Sequence, residues 1–143
     1  MIPHPLLTIA RSLLEEIKRH GIDSYPNECC GLIVGDYGRR EVRKLFPLQN
    51  THDESTLHRY RIDPKEHLQA GKQARATGLD VIGVYHSHPD SPGKPSEYDR
   101  AHAWPVYVYI IVSVLTGKAE DVKAWTLRED GSGFDETNLR VVE

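Results

Sequence analysis

Helix and strand patterns alternate along this chain, which predicts an α/β (α+β) fold with a central mixed β-sheet flanked by helices. Three observations carry that expectation. Two stretches bear helix signals, one near the start and one at "DPKEHLQAGKQARATG". The runs "CCGLIVG", "DVIGVYHSH" and "VYVYIIVSV" are apolar, rich in β-branched residues and short. Turn-forming segments such as "GDYG", "TGKAED" and "GSG" separate them. At 143 residues the chain fits a single domain, residues 1–143, long enough to bury a core without disulfides.

The elements follow in order. Leu6, Leu7, Ile9, Ala10, Leu13, Leu14 and Ile17 recur at helical spacing, and Gly21 is the expected stop. Lys18, Arg19 and His20 would then occupy the last turn, where cations suit the helix dipole. "CCGLIVG" is a buried strand and "REVRKLFPLQN" its return. "THDESTLHRY" is polar and loop-like. Asp63 is placed as an N-cap, with Pro64 at the first helical position, Glu66 completing a capping box, and Gly78 ending the helix. "DVIGVYHSH" is the next strand and "SEYDRAHAW" a short helix stopped before Pro105. "VYVYIIVSV", "VKAWTL" and "TNLRVVE" complete the sheet.

Composition excludes some function classes. The net charge of −3 gives no electrostatic case for nucleic acid. No apolar run reaches the length of a membrane span, and the first residues do not read as a secretory leader. Cys29 and Cys30 are adjacent, so they point to opposite faces of a strand and suit neither a disulfide nor a shared metal. A reduced, cytoplasmic protein with core thiols is the expectation.

The chemistry concentrates in "GVYHSHPDSPGKPSEYDR". His86 and His88, two apart at a strand end, project from one face and can chelate one ion. A catalytic zinc takes three protein ligands and leaves one position for water; Asp99 is the candidate third. A competing reading is concrete: Ser96 and Asp99 also form an S-x-x-D helix start, and a bare H-x-H is commonly a surface pair. The two readings are compatible, because a helix start can set Ser96 and Asp99 in the mouth that the strand end opens. Elsewhere, His52, Asp53, Glu54 and His58 offer a weaker second cluster in what reads as a solvated loop, and His4, His20, His67 and His102 read as surface residues.

The full pattern, H-x-H-x7-S-x-x-D with Glu28 upstream in "NECCGLIVG", resembles the JAMM (MPN+) zinc metalloprotease family. "PNECCGLIVG", "RYRIDPKEH", "YIIVSV" and "VKAWTL" fall in that family's order, closest to its short prokaryotic, Mec-like branch. The resemblance implies a cytidine-deaminase-like fold and a peptidase or isopeptidase cutting after the C-terminal diglycine of a ubiquitin-like or sulfur-carrier protein. It implies that His86, His88 and Asp99 bind Zn2+ with a water as fourth ligand. Glu28 would be the general base and Ser96 a hydrogen-bond donor to the developing oxyanion. Ser87, between the ligands, would face the other way and pack. Other readings are a zinc hydrolase of small peptides, a non-catalytic MPN-type interaction module, and a DNA-associated branch that the charge disfavours. An exposed strand edge would permit a dimer.

Overall fold

The computed structural model describes residues 6–143; His4 therefore lies outside the described residues. The chain runs β1 (Leu6–Ala10), α1 (Arg11–Ser24), β2 (Cys30–Asp36), β3 (Glu41–Leu48), α2 (Pro64–Ala76), β4 (Asp80–Pro89), α3 (Glu97–His102), β5 (Val108–Leu115), β6 (Lys118–Leu127) and β7 (Phe134–Val142). This is the expected mixture of helices around a mixed sheet. The sheet closes on itself in the order β1-β3-β2-β4-β5-β6-β7. Closure rests on two parallel pairings: β1 with β7 along five residues, and β1 with β3 at Thr8 and Glu41 alone.

The start of the chain departs from the sequence expectation. Residues 6–10 form a strand, and the helix begins only at Arg11. "LLTIA" satisfies both periods, and with Leu7 and Ile9 alternately buried it pairs with Asn138–Val142 of β7. Nor does Gly21 stop α1, which continues to Ser24. Instead Gly21 lets the helix approach β5: a Cβ there would lie 3.1 Å from both Val112 Cγ1 and Val114 Cγ2. Lys18, Arg19 and His20 consequently precede the last turn, which holds no basic residue.

α2 follows the expectation with one change. Asp63 caps it by accepting from Lys65 N at 2.9 Å, with Pro64 at the first position, and Gly78 beyond the end takes the left-handed conformation (φ 77°). The return arm of a capping box from Glu66 is not formed. Glu66 lies on an exposed turn, where water serves its carboxylate equally well.

Two apolar clusters sandwich the central strands. Leu14 and Ile17 of α1 pack with Cys29, Ile33, Tyr85, Val112 and Val114 on one face. Ala70 and Ala74 of α2 pack with Leu32, Val34, Val84 and Tyr109 on the other. Alternation along β4 therefore sends Tyr85 and Ser87 toward α1, and Val84, His86 and His88 toward the face that carries α2. Among the described residues no helix is long and apolar enough to cross a membrane.

Candidate metal centre

β4 runs parallel to β5, and α3 lies in the crossover between them. The carboxyl ends of such strands open toward the crossover helix, a common place for polar groups to collect. His86 and His88 stand at that end. β2 pairs antiparallel on the other side with Cys30 opposite His86, so Glu28, two residues earlier, comes level with His88. The ordinary fate of a glutamate is the surface, yet Glu28 is only 3% exposed, and His86, His88 and Asp99 are 0%, 8% and 5% exposed.

α3 supplies the remaining groups through its cap. Ser96 Oγ accepts from Asp99 N at 3.0 Å, and Asp99 Oδ2 accepts from Ser96 N at 2.9 Å, a complete capping box. The same Asp99 Oδ2 lies 3.1 Å from His88 Nε2 and 3.9 Å from His86 Nε2. The helix start that competed with the metal reading thus aims Asp99 at the histidine pair.

The hydrogen-bond partners fix what each ring presents. His88 Nδ1 is 2.8 Å from the Pro92 carbonyl, which can only accept, so Nδ1 carries the hydrogen. His86 Nδ1 is 3.0 Å from Glu28 Oε1 and donates to that carboxylate. His86 Nε2 is thus left as an acceptor facing Asp99, while His88 Nε2 lies within hydrogen-bond distance of the same carboxylate and donates to it when the ring is protonated. His86 Nε2 is fully buried and has no hydrogen-bond partner. His86 Nε2, His88 Nε2 and Asp99 Oδ2 converge, and one ligand atom from each of Glu28, His86, His88 and Asp99 falls within 4.8 Å of the others. Such a donor set fits a divalent cation and is hard to sustain without positive charge. Among the described residues it is the one cluster of this kind.

The electrostatics agree. Burial opposes ionisation of Asp99, but the nearby His86, the bond to His88 and the Ser96 amide outweigh it and hold the carboxyl well below its usual range. Burial likewise opposes a charge on His88, and its bond to Asp99 reverses the balance and raises its pKa. Burial pushes both cysteine thiols up to about 12, so neither is a nucleophile near neutrality. Ser87 Oγ, on the far face, accepts from Cys29 N at 2.8 Å.

Two openings flank the centre. A cavity of about 220 Å³ is lined by Glu28, His88, Ser96, His58 and Lys94. A larger groove of about 720 Å³ runs between α2 and α3, lined by Tyr60, His67, Tyr98, Trp104, Tyr107 and Tyr109. Tyr60 joins groove and centre, since its ring stacks on His86 with centroids 4.3 Å apart. Sequence reasoning gave Tyr60 no role; it lies in "RYRIDPKEH", where nothing local distinguishes it from an ordinary loop aromatic. His52 is a loop brace, its Nδ1 accepting from Glu54 N and Ser55 N.

The profile of the family described as prokaryotic homologs of the JAB domain matches residues 10–128. The chain belongs to that family. Within it, the chain is 37% identical over 103 residues to the desampylase of Haloferax volcanii, covering 71% of this chain and 73% of that one. It is 38% identical over 125 residues to the "Probable TtuB-protein conjugate cleaving protease" of Thermus thermophilus, covering 87% and 78%. The solution structure of protein DSY2949 from Desulfitobacterium hafniense superposes with a TM-score of 0.81 at 31% identity, covering 96% of this chain and 93% of that one. This JAB-domain protein is a metallopeptidase of the JAMM type, and its buried Glu, His, His and Asp form the group that can hold the metal ion.

Proposed function

We propose that the protein is a zinc-dependent (iso)peptidase that cleaves the amide after the C-terminal diglycine of a ubiquitin-like or sulfur-carrier protein. The observation that carries the reading is the buried His86 Nε2 without a partner, facing Asp99 and His88. His86, His88 and Asp99 would hold the ion. When bound, zinc supplies Lewis acidity that brings the pKa of a coordinated water toward about 7.

The chain's own groups supply the proton traffic. Glu28 accepts a proton from the attacking water and returns it to the leaving amine nitrogen. It lines the same cavity as His88, within reach of anything bound there. Ser96 Oγ already accepts from Asp99 N, which leaves its hydroxyl hydrogen free to donate to the carbonyl oxygen as charge develops. Two relatives named for acting on protein conjugates support a conjugate as substrate. The aromatic groove beside the centre offers a surface for the body of the modifier.

The test is cleavage of a small carrier protein extended beyond its diglycine by a short peptide or a single cysteine. Release should require zinc and fall about 10²- to 10⁴-fold in Glu28→Gln, the usual range for loss of a general acid–base group. Release that survives both chelator and Glu28→Gln would overturn the mechanism. Equal cleavage of a free glycyl-glycine peptide would move the substrate class to small amides.

A further inference from the structure

Glu28 precedes the β2 ladder, whose first registered residue is Cys30, so no sheet pairing fixes its main chain. What holds it is the irregular segment between β3 and α2. Glu28 N donates to Thr56 O at 2.6 Å, and Glu28 O accepts from Asn50 Nδ2 at 3.0 Å. Both backbone groups of this residue are thus gripped by one loop.

Asn50 organises that loop. A carboxamide offers two donor hydrogens and two acceptor lone pairs. Asn50 Nδ2 also donates to Arg59 O at 2.8 Å, while its Oδ1 accepts from His52 N at 3.0 Å and Arg61 N at 3.1 Å. All four positions are used. The Arg59 and Arg61 bonds bracket Tyr60, the residue whose ring lies on His86. A single amide therefore sets both the main chain of Glu28 and the ring against His86.

We propose that Asn50 is a positioning residue, acting on the reaction through Glu28; the inference rests on the base role given to Glu28 above. Asn50→Asp tests the donor side of this amide. An aspartate keeps the acceptor that braces His52 and Arg61, but puts an oxygen where Nδ2 donated to Glu28 O and Arg59 O. Side chains that orient catalytic groups typically cost about 10- to 100-fold when altered. We expect kcat on the extended carrier to fall by that amount in Asn50→Asp, with KM within about twofold and zinc content unchanged. A role confined to bracing the loop predicts that Asn50→Asp loosens residues 59–61 and leaves the Glu28 main chain and kcat as in wild type.

A second readout needs neither substrate nor metal. Amide hydrogen exchange in the metal-free protein should quicken at Glu28 by about tenfold or more in Asn50→Asp, while Leu32 and Ile33 in the ladder keep their protection. Unchanged exchange at Glu28 overturns the proposal, as does wild-type kcat in a variant whose Glu28 amide has loosened. If the wild-type protein cleaves no carrier, the substrate reading fails, and the exchange result still decides whether Asn50 holds Glu28.

Discussion

The imidazole of His86 is held from one side only: its Nδ1 donates to Glu28 Oε1 at 3.0 Å, while its buried Nε2 has no partner. The arrangement separates two jobs that a mutation can tell apart. Glu28 orients the ring; Nε2 faces the ion's place.

Metal content should therefore separate Glu28 from His86 and Asp99. His86→Ala and Asp99→Asn should purify with little zinc. Glu28→Gln should retain it, with affinity weakened by about 10- to 100-fold at most, because it loses an orienting carboxylate and keeps the facing donors. Elemental analysis after dialysis against micromolar zinc reads this directly. Zinc should also raise the melting temperature of wild type and not of Asp99→Asn, since an ion that binds only the folded state stabilises it by mass action.

Ser96 does two things with one hydroxyl, capping α3 and lining the cavity. Ser96→Ala should cost about 1 kcal/mol in stability through the lost cap. Ser96→Asp keeps a cap but cannot donate. Its melting temperature should stay near wild type while kcat drops about 10²- to 10³-fold, the cost of losing one oxyanion donor. Undiminished turnover in Ser96→Asp would confine Ser96 to the cap.

Tyr85 crosses the backbone of Gly31 to reach His20, its hydroxyl 2.7 Å from His20 Nδ1. A Cβ at Gly31 would overlap the Tyr85 ring, which is 1% exposed and has nowhere to go. Gly31→Ala should destabilise by about 3 kcal/mol, as forced overpacking does. Denaturant titration with the midpoint and slope both fitted would show it.

His20 gives a pH dependence remote from the centre. Burial, the larger influence, lowers its pKa from 6.5, and Asp23 offsets this in part. Burial alone lowers His67. Because the folded pKa lies below the unfolded value, the unfolded chain takes up protons first as pH falls through about 6.5. Stability should thus be lost on acidification below that point and change little above it. Melting temperatures measured between about pH 7.5 and 5.5 should fall less steeply in His20→Gln/His67→Gln than in wild type. Parallel slopes would assign the loss to other groups.

What was legible in the sequence was what is local or strongly periodic. The α3 cap could be read because Ser96 and Asp99 are three residues apart, and the pairing of His86 with His88 because strands alternate. The strands "CCGLIVG", "DVIGVYHSH" and "VYVYIIVSV" could be read because each is a short, mainly apolar run between turn signals. Residues 6–10 could not, since their partner is the far end of the chain and their pattern suits either period. Gly21 reads as a helix stop in isolation, and only the approach of Val112 and Val114 explains it inside the helix. Glu28 was singled out by family resemblance alone. Asn50 and Tyr60 were invisible, because their bonds and stacking come from an irregular loop folding back on strands far away in sequence.

The pairing of β1 with β7 has a consequence for synthesis. β1 is laid alongside β7, made about 130 residues later, residue for residue from Leu6–Asn138 to Ala10–Val142. Until that last strand is made, β1 can hold only its single register with β3, and one edge of the sheet stays open. Closure of the barrel therefore waits on the synthesis of β7, and until then β1 lacks the partner that holds it along five residues.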